Sequence, residues 1–206
     1  LLIALKETTA SEKFTKVITD EYQGLPDNDT RILFLIVGLA TISRTGITRA
    51  AAREAYNRLR TELSFEGALR QLEGIVSENT AGRLVARHEL YVRHILENIA
   101  SFTSIVDAEV EILRTYTKYS VPIVKNVKRL DGLLFKFLLN HNFIGDLARR
   151  RNEIEEGLRI FESFEIEFQL DGHFWLQYGQ YLVMFGELEP ALSALEKSID
   201  AYPENG

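Results

Sequence analysis

Histidine, carboxylate and arginine side chains are the groups in this 206-residue sequence that could carry chemistry, because it contains no cysteine. That absence removes disulfides, thiolate metal sites and cysteine nucleophiles together. Of the four histidines, His88 is followed by Glu89, like the first half of a helical zinc-hydrolase motif. The motif needs its second histidine four residues after the first, on the same helix face. Here the next is His94, and six steps of about 100° leave the two rings about 120° apart. The spacing predicts no metal site. Adjacent carboxylates such as Glu155-Glu156 sit in an acidic stretch and read as a solvated helix face. The glycine-rich phosphate loops and the G-x-S-x-G nucleophile elbow are absent from these residues. With no nucleophile–base pair and no ligand cluster, the expectation is a segment without catalytic residues, metal or cofactor of its own.

Charge separates the chain into two halves of different character. The net charge is −6, but residues 150–206 hold twelve acidic and four basic residues, a balance of −8, so the rest carries about +2. Between Arg44 and Arg60 there are five arginines and one acid, Glu54. Arg49 and Arg53 are the candidates for a nucleic-acid contact, although arginines at such positions more often form a solvated or interdomain face. The acidic C-terminal part argues against nucleic acid as the partner. The longest apolar run, Ile32 to Ala40, is too short to span a bilayer. No charged-then-apolar leader is present, and the cytoplasm is the expected location. Position 1 is Leu and the single methionine is Met184, which reads as a fragment of a longer protein.

The elements that would position these residues are legible in outline, and the last is the most specific. Trp175-x2-Tyr178-Gly179-x2-Leu182, Ala191-x3-Leu195 and Pro203 follow the order of a tetratricopeptide repeat, W-x2-L-G-x2-Y…A-x3-F…P. Gly179 would let the first helix approach its partner, Trp175 would be core, and Pro190 suits the first turn of the second helix. A repeat of this kind cannot bury its apolar face alone. Its second helix should therefore expose Ala194, Leu195 and Ile199 unless another repeat stacks on it.

Taken in order, Thr9 and Glu12 form a capping box before a helix carrying Phe14, Val17, Ile18 and Tyr22, and residues 24–29 break it. Thr30 is placed to cap a helix over 31–42, a second helix runs from Thr48 to Arg60, and Ser64 caps a third. Two short strands between Val76 and Val85 follow, then a helix from His88 to Ala100. Three short helices and a hairpin are the order of a winged helix. Its third helix would present Glu66 and Glu73 to phosphates, which makes it a poor reader of DNA. Helices are then expected over 101–116, from Pro122 to Leu138 with Asn140-His141-Asn142 as its end, and from Arg150 to Phe168, pairing as degenerate repeats. The expected class is mainly α: a helical segment at 1–29, a winged-helix-like domain at 30–100, helical linker or degenerate repeats at 101–170, and a repeat of α-solenoid type at 171–206.

On Leu1 to Thr9, Phe14 to Tyr22, Ala86-Arg87-His88-Glu89-Leu90 and the repeat, the chain resembles the middle of a prokaryotic STAND-type P-loop NTPase, a signal-transduction ATPase of the kind used in antiviral defence. The resemblance implies a nucleotide-binding core upstream, with ATP or ADP as the parent protein's ligand. It also implies a winged helix that couples nucleotide state to a repeat array, and a protein partner recognised by that array. A winged-helix histidine in such proteins contacts the nucleotide phosphate and holds the inactive state; His88 matches it, with Arg87 beside it. Two alternatives are a stand-alone helical-repeat scaffold that binds a protein, and a winged-helix DNA-binding regulator.

Overall fold

The computed structural model describes residues 15–201. The Thr9–Glu12 capping box, Phe14, the Leu1–Thr9 segment and Pro203 lie outside the described residues. Helix α1 covers 15–23. Helix α2, Asn28–Ile42, is buried on almost every side, as its continuous apolar run requires. Its cap is Asp27, whose side chain accepts from Thr30 N at 2.7 Å. The helix therefore starts three residues before the expected Arg31, and the Thr30 hydroxyl is free to donate to Gln71.

Asp29, in the first turn of α2, is 3% exposed. Its carboxylate accepts from the backbone N–H groups of Thr61 (2.8 Å), Glu62 (2.8 Å) and Leu63 (2.7 Å), and from the Thr61 hydroxyl (3.2 Å). From the other side, the Tyr56 hydroxyl donates to Leu63 O at 2.8 Å. Burial, helped by Asp29 and Asp27, pushes this hydroxyl up to about 12, so it stays a donor. The loop at 60–64 is thus tied to the start of α2 through its donors and to the helix Arg49–Leu59 through one acceptor.

After α2 the chain turns through Arg44 (φ 60°) and Gly46 (φ 61°) into strand β1, Ile47–Thr48. A Cβ at Gly46 would stand 2.9 Å from Leu84 O, so the left-handed turn and the close strand both call for glycine there. Thr48 caps α3, Arg49–Leu59, and Ser64 caps α4, Phe65–Gln71. Strands β2, Val76–Glu78, and β3, Arg83–Ala86, form the expected hairpin, with Asn79 Oδ1 accepting from Ala81 N and Arg83 N in the turn. The three strands form an antiparallel sheet of order β1-β3-β2, with Ile47 opposite Leu84 and Ser77 opposite Val85. Strand β1 is too short to have shown a sequence period.

Helix α5, Glu89–Asn98, leads to α6, Phe102–Arg114, which Ser101 caps. Helix α6 packs on α2, on α3 and on the later helix Ile154–Glu162. Arg83, 4% exposed, reaches across from the sheet: its guanidinium donates to Gly46 O and pairs with Asp131 at 2.8 Å.

The second half departs from the expected helix boundaries. The single helix expected from Pro122 to Leu138 is two, α7, Ile123–Asn126, and α8, Arg129–Leu138, because Val127 is extended (φ −123°, ψ 165°). Asn140 does not merely end a helix: its side chain accepts from Asn142 N and Phe143 N and starts α9, His141–Arg151. The helix expected from Arg150 to Phe168 is likewise interrupted, since Asn152 is left-handed (φ 57°) and α10 spans only Ile154–Glu162. Asp171, fully buried, caps α11, Gly172–Met184, and its Oδ2 also accepts from Ile123 N at 2.9 Å. After Gly186 (φ 86°) comes α12, Leu188–Ala201, with Pro190 in its first turn.

Helices α9–α10 and α11–α12 form two antiparallel pairs, and α11 packs on both helices of the first. Phe161 lies nearly parallel to Tyr178 at 5.2 Å between ring centres, and Phe164, Phe168 and Phe174 extend this aromatic layer. In α12 the expectation for Ala194 is corrected. Ala191 and Ala194 are small enough for α11 to cover both, whereas Leu188, Leu192 and Ile199 are exposed at 67%, 60% and 66%.

Glu109, in α6, is 1% exposed and its Oε1 has no hydrogen-bond partner. Burial raises its carboxyl well above the ordinary carboxylate range, which favours the neutral form in the fold. Because the folded value is raised, the stability of the neutral form is complete below the unfolded value and is lost as pH rises toward the folded one. Glu109→Gln should remove this slope, which approaches about 1.4 kcal/mol per pH unit in the wild type. Denaturant midpoints of the two proteins, compared from about pH 5 to about pH 9, check it; parallel curves would refute it.

Candidate functional site

The residues read as phosphate-sensing lie at the junction of β3 and α5. Ala86 N donates to the buried Thr41 Oγ1 at 2.8 Å and Arg87 N to Ile75 O at 2.8 Å, which fixes the end of the strand. His88 follows in an extended conformation as the N-cap residue of α5, and its ring makes no capping bond. Both Arg87 and His88 are exposed. The Arg87 guanidinium donates to Glu21 at 3.2 Å, from α1.

Glu89, next in sequence, takes Arg93 at 3.1 Å and Arg44 at 3.2 Å. The Arg93 hydrogen bond outweighs desolvation and, with Arg44, holds the Glu89 carboxyl below its ordinary value. Arg44, Arg87 and Arg93 thus lie close to His88 along the chain or through Glu89, and are paired with three carboxylates, Glu21, Glu89 and Glu97. Like Arg49 and Arg53, these arginines are already ion-paired, so a phosphate would bind here only by displacing the carboxylates. Arg93 was readable as the i+4 partner of Glu89. Arg44 was not, because it lies 45 residues before Glu89 and only the fold brings them together.

Arg49 and Arg53 stand elsewhere, on α3 facing α4 and β2. Arg49 pairs with Glu66 and with Glu78 (3.3 Å), Arg53 pairs with Glu66 at 2.6 Å, and both lie within 6 Å of the Phe65 ring centre. The Arg53 guanidinium hydrogen-bonded to it, and Arg49 beside it, hold the Glu66 carboxyl below its ordinary range. This face is internally neutralised. Arg49 and Arg53 thus stand in a network of ion pairs, not on a free basic stripe.

The residues of the C-terminal motif meet one another in α11 and α12. Trp175, Tyr178, Leu182 and Ala191 are buried. Trp175 Nε1 donates to Gln169 O at 2.8 Å, and Lys197 lies 3.9 Å from its ring centre. A Cβ on Gly179 would stand 2.7 Å from Leu195 Cγ and 3.3 Å from Ala191 O, so the two helices touch at this glycine. Leu195 is half-buried against it.

Among the described residues, no group of three or more His, Cys, Asp or Glu could hold a metal ion, and no helix is long and apolar enough to cross a membrane. Comparison with models of protein families, with curated proteins and with solved structures found no match.

Proposed function

We propose that this chain is a non-catalytic regulatory and protein-interaction segment of a nucleotide-switched sensor of STAND type. In this reading α2 to β3 act as a winged helix and α9 to α12 as tetratricopeptide-like pairs. The observation that carries it is connectivity. Helix α2, β1, α3, α4, β2 and β3 follow one another with sheet order β1-β3-β2, and the stacked helical pairs come after. The DNA-binding alternative loses support from the saturation of Arg49 and Arg53 by Glu66 and Glu78.

The Arg44–Arg87–His88–Arg93 surface would face the phosphates of ADP held by an upstream nucleotide-binding domain. Arg83, buried between Gly46 and Asp131, would pass a shift of the sheet to α8 and so toward the helical pairs. ATP or ADP belongs to the parent protein in this account, and the helical pairs supply the contact to a protein partner. Placement of the function in antiviral defence rests on the family resemblance. The test is release of a fluorescent ADP analogue from the longer protein. His88→Ala should speed release by about tenfold, the loss of one charge-assisted phosphate contact of about 1.4 kcal/mol. Unchanged release would remove His88 from the switch.

A further inference from the structure

The aromatic layer of the helical pairs opens on one side into a groove between α10 and the start of α12, about 410 Å³ in volume. It is lined by Tyr178, Tyr181 and Leu182 of α11, by Phe185 just after that helix, and by Ile154 and Leu158 of α10. Both tyrosine hydroxyls are used internally, Tyr181 on Ile154 O (2.7 Å) and Tyr178 on Glu165 (3.1 Å), so the lining offers ring surface and not free donors. Leu188, exposed, continues the apolar surface beyond Glu187.

The groove is also acidic. Glu155, Glu162 and Glu187 line it, and none forms an ion pair with a described residue. The nearby arginines are committed: Arg159 to Asp107 and Glu156, and Arg149, over the Phe185 ring at one end, to Asp146. Glu155 and Glu162 are seven residues apart on α10, which is about 10 Å along the axis, with Leu158 between them. An extended peptide repeats that distance every three residues, at about 3.3 Å each.

We propose that this groove docks an extended cationic segment of a partner protein, with a large aliphatic residue seated between basic side chains that meet Glu155 and Glu162. The inference deepens the protein-interaction half of the proposed function and rests on that half alone. The aliphatic side chain covers the Tyr178, Tyr181 and Leu158 surface, while the carboxylates select positive flanks and reject acidic ones. An apolar lining gives affinity, and an unpaired acidic rim gives the sign of the partner.

The experiment is fluorescence anisotropy with a labelled Gly-Arg-Arg-Leu-Ile-Arg-Arg-Gly peptide and two counterparts, one with every Arg replaced by Glu and one with Leu and Ile replaced by Ser. The expected result is saturable binding with Kd on the order of 10–100 µM, weaker with added salt, and weaker by about tenfold for the Ser peptide. The Glu peptide should not bind. Glu155→Lys combined with Glu162→Lys should weaken binding at least about tenfold, whereas Glu167→Lys with Glu196→Lys, an equal charge change outside the groove lining, should leave it within about twofold. All four substitutions are at exposed positions.

Equal binding by the two double variants, equal binding of the acidic peptide, or no saturation would overturn the proposal. So would sedimentation showing that the groove instead joins two copies of the chain, with Glu155→Lys and Glu162→Lys dissociating them. None of these results touches the ADP-release test at His88, so the two failures are separable.

Discussion

Asp29→Ala should cost about 2–4 kcal/mol of folding stability. A carboxylate accepting from three consecutive backbone N–H groups and a hydroxyl holds the 60–64 loop, and hydrogen bonds to a charged group contribute about 1.5–3 kcal/mol each. Thr61 and Glu62 are exposed, so water recovers part of the loss and the total stays below the sum. Asp29→Asn should recover little, because its amide nitrogen would face donors. Burial acts to raise the Asp29 carboxyl, but the N–H groups of Thr61, Glu62 and Leu63 outweigh it and hold it below 3.8. A lowered folded value means the stability is present above the unfolded value and disappears as pH falls through the folded one. Urea melts should therefore separate wild type from Asp29→Ala near neutrality and bring them together well below pH ~4. A constant gap down to that pH would contradict the clamp.

Gly157→Val is expected to be comparably damaging, at about 2–4 kcal/mol, for a steric reason. Gly157 faces Tyr181 across the α10–α11 contact. A Cβ there would strike the Tyr181 hydroxyl, lie 3.1 Å from its Cζ and lie 3.3 Å from Ala148 Cβ. The tyrosine cannot easily retreat, since its ring is 5.3 Å from Phe161 and 4.9 Å from Phe185, and its hydroxyl would lose Ile154 O. Substitution at Gly82, where an added Cβ meets nothing within 4 Å, brings only the cost of its positive φ. The single tryptophan, Trp175 in α11, reports unfolding of this helical pair directly. A midpoint for Gly157→Val equal to wild type would mean that α10 and α11 are not packed this closely.

Much of the local structure was legible because it is written in caps and periods. Ser64, Thr48 and Ser101 stand where helices begin, and the polar turn between Val76 and Val85 separates two strands. What could not be read needed contacts distant in sequence. Asp29 reads as part of the break at 24–29 until the loop at 61–63 closes on it. Thr30 reads as a cap only while Asp27, a better one, is ignored. The left-handed turn at Asn152 is legible only in retrospect, since asparagine permits that conformation without requiring it.

The groove illustrates the same limit. Glu155, Glu162 and Glu187 read as part of a generally acidic region, and only the packing of α10 beside α11 gives them a shared apolar lining. Arg49 and Arg53 show the reverse, since a basic run in sequence is neutralised by Glu66 and Glu78 in space. Charge counts along a chain describe potential partners only when the fold leaves the charges unpaired.

The most direct test of the central claim is to read the coding sequence upstream of Leu1. The account predicts an open frame that encodes a G-x-x-x-x-G-K-[ST] phosphate loop and, after it, an apolar strand ending in the acid that binds magnesium. An open frame over the preceding few hundred residues with no such loop would contradict it.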